Sequence, residues 1–192
     1  MSLALIARCT ATGRLGIAAA SEWPFLGFAA ICVRSGLGAS VAMGAVNRAG
    51  RALPLNLLAQ GFPPAQALAQ ALDGDPDRAH RQLALLSATA GGAAVSGDTL
   101  KERAGGFERI DAGVIGIGHS AAVPQTAEAA LEGFRRAASE RFDHRLIAAL
   151  EAARDAGAAR AGMRRIVYRS AAVLVHGSAA YSDVDMRVDA RE

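Results

Sequence analysis

The fold is decided by the stretch Ser2-Leu3-Ala4-Leu5-Ile6-Ala7-Arg8, which covers residues 2–8. Residues 3–7 are an apolar run, and a second apolar run covers residues 14–20. The connector between the runs is polar and ends in Gly13, which predicts a β-hairpin. The second run is made of small, nearly uncharged residues, as expected of a strand that is covered on both faces.

Ser2 stands directly ahead of the first predicted strand. Removal of Met1 leaves a serine that carries both a hydroxyl and the free α-amino group of the chain. The hydroxyl can attack a carbonyl while the amine takes its proton, and an α-amine titrates near pH ~8. Because a serine after the first methionine is common, this interpretation depends on the fold that follows.

The rest of the chain separates into blocks of strands and blocks of helices. Strands are predicted at 28–33, 39–43, 80–89, 91–96, 110–117, 171–176 and 184–188. Helices are predicted up to Gly61, from Pro63-Pro64 to Gly74, and over 124–139 and 141–157. In the last strand Val184, Met186 and Val188 alternate with charged residues, which predicts one buried and one solvated face.

Segregated strand and helix blocks favour an α+β domain over alternating βαβ units. Two sheets between two helical layers, a four-layer αββα sandwich, would use every predicted element. The chain has 192 residues, of which 52% are hydrophobic, and no linker-like tract divides it. Residues 1–192 are therefore expected to form a single domain.

Composition argues against several functional classes. The formal net charge is only +3, and no basic run is interleaved with aromatic residues, so nucleic-acid binding is not expected. No uncharged apolar run approaches the roughly 20 residues of a membrane helix. Cys9 and Cys32 do not make a disulfide framework, which favours the cytoplasm. No metal-ligand cluster is seen and Gly116-Ile117-Gly118 lacks the third glycine of a dinucleotide fingerprint, so we expect no cofactor.

Several stretches, in this order and spacing, carry a resemblance to a known family. They are 2–8, 12–18, Ala20-Ser21, 34–39, Val46-Asn47, 57–61, 65–68, Asp75-Pro76, 81–83, 170–175 and 183–189. Together they resemble the N-terminal-nucleophile (Ntn) hydrolases, and specifically the family of domains of unknown function numbered 1028. The resemblance implies an αββα sandwich, a homo-oligomer, and Ser2 as the catalytic nucleophile acting on a small amide or peptide-like substrate.

The chain departs from this family at polar positions. Where the family usually has a Thr-Gln pair, Ala42-Met43 stands here. Its usual Thr-Gly with a nearby cysteine corresponds to residues 96–100, and its Gly-Asn-Met-Leu segment corresponds to residues 116–120. These departures imply either a different substrate or a loss of catalysis.

Asn47 and Arg48 follow the fourth strand in a polar loop. Asn47 is a candidate catalytic residue, because its amide is a suitable donor to the oxyanion of a tetrahedral intermediate. Arg48 is a candidate substrate-binding residue for a carboxylate or a developing negative charge. The alternative is that Asn47 is only a turn residue, which turn preference alone favours.

Three further residues are candidates for substrate binding. Glu22 and Trp23 follow the second strand, where Glu22 would polarise the amine and Trp23 would wall a pocket. The alternatives are a surface glutamate and a core tryptophan. His119 follows Gly116-Ile117-Gly118 and could place an imidazole at a strand end beside the substrate. The alternative is a structural histidine in a glycine-rich loop.

Three functional hypotheses follow. The first is an Ntn-type amidohydrolase with Ser2 as nucleophile. The second is a catalytically inactive binding or assembly protein on the same fold, which retention of Met1 would favour because the nitrogen of Ser2 would then be an amide. The third is a hydrolase that uses Cys9.

Overall fold

Ten strands form two antiparallel sheets in the computed structural model, which describes residues 2–45, 48–104, 107–119, 124–160 and 168–190. The strands are β1 (Ser2–Arg8), β2 (Leu15–Ser21), β3 (Ile31–Arg34), β4 (Gly38–Gly44), β5 (Arg81–Ser87), β6 (Gly92–Ser96), β7 (Phe107–Asp111), β8 (Val114–His119), β9 (Ser170–His176) and β10 (Val184–Asp189). The six-stranded sheet has the order β10-β9-β2-β1-β8-β7, and the four-stranded sheet has the order β3-β4-β5-β6.

Four longer helices cover the outer faces of the sheets, and two short helices lie elsewhere. In chain order the helices are α1 (Leu26–Ala29), α2 (Arg48–Ala59), α3 (Pro64–Ala71), α4 (Asp98–Ala104), α5 (Pro124–Arg136) and α6 (Phe142–Arg160), of which α1 and α4 are the short ones. Helices α5 and α6 pack on the six-stranded sheet, and α2 and α3 pack on the four-stranded sheet. The layers therefore run helix, sheet, sheet, helix, which confirms the predicted αββα sandwich.

The central strand β1 is buried on both faces. Leu3 and Leu5 pack against α5 and α6, whereas Ala4 and Ile6 point into the space between the sheets. Burial on both faces explains why the first two strands read as unbroken apolar runs. Since side chains alternate along a strand, Ser2 shares the inter-sheet face with Ala4 and Ile6.

The first hairpin has the predicted pairing, but other boundaries differ from the sequence prediction. Residues 28–29 are the end of the short helix α1, so the third strand begins only at Ile31. The single strand predicted at 110–117 is a hairpin, because Gly113 takes a positive φ of 73° between β7 and β8. Helix α4 was not predicted, and the glycines at 116 and 118 lie within β8 and not in a loop.

The prediction of a buried apolar face on the last strand is wrong. In β10 the side chain of Val188 is 68% exposed and that of Met186 is 42% exposed. β10 is the edge of the six-stranded sheet, and only Val184 at its start packs against the core beneath α5 and α6. The alternation is present, but the described part of the helical layer does not extend over this edge.

Candidate functional site

Ser2 is the first residue of the central strand β1, with a neighbour on each side in the sheet. The register places Ser21 of β2 opposite Ser2 on one side and His119 of β8 opposite it on the other. Directly opposed residues on antiparallel strands share one face, with Cβ atoms about 5 Å apart. All three side chains are buried at the end of the space between the sheets.

The same row continues across the sheet toward its edge. Ser170 of β9 lies opposite Ser21, and Asp189 of β10 lies opposite Ser170. We call these five residues the polar row: Asp189, Ser170, Ser21, Ser2 and His119. The next inter-sheet positions inward on β1, β2 and β8 are Ala4, Ala19 and Ile117, so the row marks where the apolar core ends.

The hydroxyl of Ser2 has a defined partner. The two Oγ atoms of Ser2 and Ser21 lie 2.8 Å apart, and the backbone N–H of Trp23 donates to Ser21 Oγ at 3.0 Å. Either hydroxyl can donate to the other, and in one of the two arrangements Ser21 accepts from Trp23 and donates its own hydrogen to Ser2 Oγ. In that arrangement Ser2 accepts, and its proton is left to point at a nearby base.

A cavity of about 400 Å³ opens beside Ser2. Its polar lining includes Ser2, Ser21 and His119, and Trp23 forms part of its wall. Three candidates from the sequence, Ser2, Trp23 and His119, therefore meet at one cavity. Trp23 is 69% exposed, so it stands at the rim and is not the core tryptophan of the alternative interpretation.

The wall that carries Trp23 is fixed by the polar row. Ser170 Oγ donates to the carbonyl oxygen of Trp23 at 2.6 Å, and the N–H of Phe25 donates to Asp189 Oδ1 at 2.6 Å. Phe25 adopts a positive φ of 63°, which is uncommon for an aromatic residue, immediately before α1. These bonds hold the turn in a conformation that its own sequence disfavours.

His119 is electrostatically tuned toward its neutral form. Burial lowers the pKa of His119, the positive charge of the amino terminus lowers it further, and Glu22 raises it by a smaller amount. A neutral imidazole carries one hydrogen-bond donor and one acceptor.

Gln82 of β5 joins the two sheets beside this site. The side chain is fully buried, and Nε2 donates to Ser96 Oγ at 2.7 Å and to the carbonyl oxygen of Gly118 at 2.9 Å. Gly118 directly precedes His119 in β8. Gln82 therefore ties the strand that carries the imidazole to the opposite sheet.

Arg81 anchors the chain at the end of β4. Its guanidinium forms a two-bond ion pair with Asp75, at 2.9 and 3.2 Å, and also donates to the carbonyl oxygen of Ala45. The hydrogen bond from Arg81 lowers the pKa of Asp75, and the same bond raises the pKa of Arg81. This pair fixes Ala45, which lines the cavity.

The remaining candidates have different outcomes. Glu22 is exposed and is not part of the cavity lining, although its charge acts on the pKa of His119. Asn47 lies outside the described residues. Arg48 begins α2, but its side chain lies outside the described part of the chain. Cys9 lies just beyond the far end of β1 and does not line the cavity.

Sequence reasoning missed several lining residues, notably His80, Met43 and Leu100. Met43 and Leu100, together with His119, fall in the three segments where the chain departs from the family pattern. The departures themselves were a usable signal in the sequence, and the structure brings the three segments together at one cavity. His80 precedes β5, and nothing in the sequence placed it near Ser2.

The described residues show neither a metal-binding cluster nor a membrane-spanning helix. They contain no group of three or more His, Cys, Asp or Glu placed to hold a metal ion. No helix among residues 2–45, 48–104, 107–119, 124–160 and 168–190 is long and apolar enough to cross a membrane.

The chain matches the model of one protein family and is similar to several solved structures. The family of unknown function DUF1028 matches over residues 2–192. A DUF1028 protein from Silicibacter pomeroyi is 27% identical, with a TM-score of 0.87 over 99% of this chain and 79% of that chain. No curated protein sequence matches the chain.

More distant structures are two Anbu proteins. Anbu (ancestral beta-subunit) from Yersinia bercovieri is 12% identical, with a TM-score of 0.47 over 97% of this chain and 86% of that chain. An Anbu (Gly-1) mutant from Hyphomicrobium sp. strain MC1 is 13% identical, with a TM-score of 0.48 over 99% and 88%. The helix, sheet, sheet, helix layer order of the present chain is the one that the sequence resemblance implied.

Proposed function

We propose that this chain, which belongs to the DUF1028 family, is an Ntn-type amidohydrolase with Ser2 as its nucleophile. The observation that carries the proposal is the position of Ser2. It begins the central strand, its hydroxyl bonds to Ser21, and it lines the 400 Å³ cavity. A hydroxyl and an α-amine on one residue supply both nucleophile and base once Met1 is removed.

The proposed reaction has two steps. Ser2 Oγ attacks the carbonyl carbon of the amide, and its proton passes to the α-amine of Ser2. The ammonium then protonates the departing nitrogen as the C–N bond breaks, which leaves an acyl ester on Ser2. Water, deprotonated by the same amine, hydrolyses the ester and restores the serine.

The neighbouring residues have proposed supporting roles. Ser21 donates to Ser2 Oγ and so favours transfer of its proton to the amine. His119 and Trp23 contact the substrate, and Glu22 acts through its charge on the amine and the imidazole. Asn47 as oxyanion donor and Arg48 as substrate clamp remain predictions from the sequence, and Asn47→Ala is expected to lower kcat by about 100-fold or more if Asn47 is that donor.

The decisive experiment compares Ser2→Ala with the parent chain, both with Met1 confirmed absent by intact mass. The parent is expected to be acylated by an amide-mimicking electrophile, and the Ser2→Ala variant is expected to form no such adduct. Ser21→Ala is expected to retain acylation at a reduced rate, because the nucleophile and amine remain. Full turnover in Ser2→Ala would falsify the proposal.

A binding protein without catalysis is the second candidate. The observation that favours it is the apolar Met43 at the cavity, where the family usually has a polar pair. The discriminating measurement is N-terminal sequencing of the protein from its native host. Intact Met1 supports the binding protein, and a free Ser2 supports the hydrolase.

A further inference from the structure

We infer that the cavity beside Ser2 is an acyl pocket that selects an uncharged, apolar acyl group of about six carbons. This inference rests on the proposed function, because it names the substrate class for the same nucleophile. It is carried by the composition, rigidity and volume of the cavity, each of which is independent of the chemistry at Ser2.

The lining is apolar beyond the polar row. Leu26, Ala30 and Met43 lie on the inter-sheet face, are at least nine-tenths buried and belong to the core between the sheets. Leu100, on α4, adds a further buried apolar side chain. Among the described residues, no Asp, Glu, Lys or Arg lines the cavity. These apolar side chains favour an uncharged acyl chain over a charged one, whose carboxylate would lose water against them without gaining a hydrogen bond in return.

The apolar wall is held in place before any ligand binds. The carbonyl oxygen of Ala30 accepts from the N–H of Ala42 on β4 at 2.8 Å, which ties the end of α1 to the four-stranded sheet. At Gly27 a Cβ would lie 2.6 Å from the methyl of Ala172, so α1 is already in close contact with β9. A wall fixed on two strands cannot withdraw to admit water around a charge.

The volume sets the size of the group. A cavity of about 400 Å³ corresponds to roughly a dozen water-sized volumes at ~30 Å³ each. That space holds a chain of about six carbons together with the reacting amide. The small side chains Ala29 and Ala30 leave this space open, and a larger residue at position 29 would occupy it.

The test uses 4-nitroanilides of acetate, hexanoate and succinate with protein whose Met1 is absent. Each methylene that enters the cavity is expected to raise kcat/KM about four-fold, which corresponds to ~0.8 kcal/mol. Succinyl is expected to be at least ~10-fold poorer than hexanoyl, since its carboxylate would have to lose water against the apolar side chains of the wall. Ala29→Leu is expected to reduce the preference for hexanoyl over acetyl, and the same substitution at exposed Ala65 of α3 is the matched control.

A binding measurement separates this inference from the proposed function. Calorimetry with hexanamide and succinamate on Ser2→Ala protein reports the pocket without turnover. Tighter binding of hexanamide that weakens in Ala29→Leu but not in Ala65→Leu supports the acyl pocket, even if the anilides are not hydrolysed and the hydrolase proposal fails. Equal or tighter binding of succinamate, or no binding of hexanamide, overturns the acyl pocket even if some anilide is cleaved.

Discussion

Replacing Gln82 with leucine tests whether the link between the sheets holds the candidate site in shape. The substitution keeps a side chain of similar length but removes the donor to Ser96 Oγ and to the carbonyl oxygen of Gly118. A buried acceptor that loses its donor costs about 1–3 kcal/mol. Two acceptors lose their donor here, and the additional apolar burial of leucine offsets part of that cost. The free energy of unfolding is therefore expected to fall by about 2–4 kcal/mol.

The assay is urea unfolding followed by circular dichroism, with Ser96→Ala as the partial control. Ser96→Ala removes one acceptor together with its need for a donor, so it is expected to cost only about 1 kcal/mol. A histidine titration by NMR adds a local readout, because β8 carries His119 next to Gly118. If the free energy of unfolding of Gln82→Leu lies within about 0.5 kcal/mol of the parent value, these bonds do not hold the sheets together as argued.

Two further changes have expected outcomes. Gly133→Ala places a Cβ 2.7 Å from the carbonyl oxygen of Ala148, so a clash of about 1–3 kcal/mol should exceed the ~1 kcal/mol gain in helix propensity. The comparison is Gly116→Ala, whose Cβ meets only ordinary contacts at 3.9 Å. Denaturant unfolding that ranks Gly133→Ala as the more stable of the two variants would contradict this expectation. For Asp143, burial raises the pKa, but the hydrogen bond from Arg141, a backbone hydrogen bond and the charges of Arg141 and His144 together outweigh it, so the net pKa is lowered from 3.8. A depressed folded pKa contributes stability above the unfolded pKa that is lost as the pH falls through the folded value, so Asp143→Asn should lower stability near pH 7 and flatten the acid limb of a pH series of melts.

Much of the fold follows from the sequence because its local signals agree with each other. The apolar runs on either side of Gly13 define the first hairpin, and a hairpin of that length places Ser21 opposite Ser2. The turn at Ala112-Gly113 lies between the apolar residues Ile110 and Val114, so the sequence predicts one strand over 110–117 where two exist. A local pattern marks an element and its faces, but it does not report whether another layer covers them, as Val188 shows.

The candidate site was predictable where it depends on one strand and its neighbours. Ser2, His119 and Trp23 each stand at the end of a strand or just after one, and strand ends were visible in the sequence. His80 and Leu100 reach the cavity through the packing of the second sheet against the first. Such contacts join residues that are far apart in the chain, and no periodicity within one element encodes them.

The polar row couples Ser2 to the wall of the cavity. Ser21 bonds to Ser2 Oγ and also accepts from the N–H of Trp23, while Ser170 accepts from the N–H of Leu26 at 3.4 Å and donates to the carbonyl oxygen of Trp23. Both serines lie at a strand end where, one position further inward, the sheet is apolar. A ligand that displaces Trp23 must therefore strain the bonds that orient Ser2, so binding at the wall and the position of the Ser2 hydroxyl are not independent.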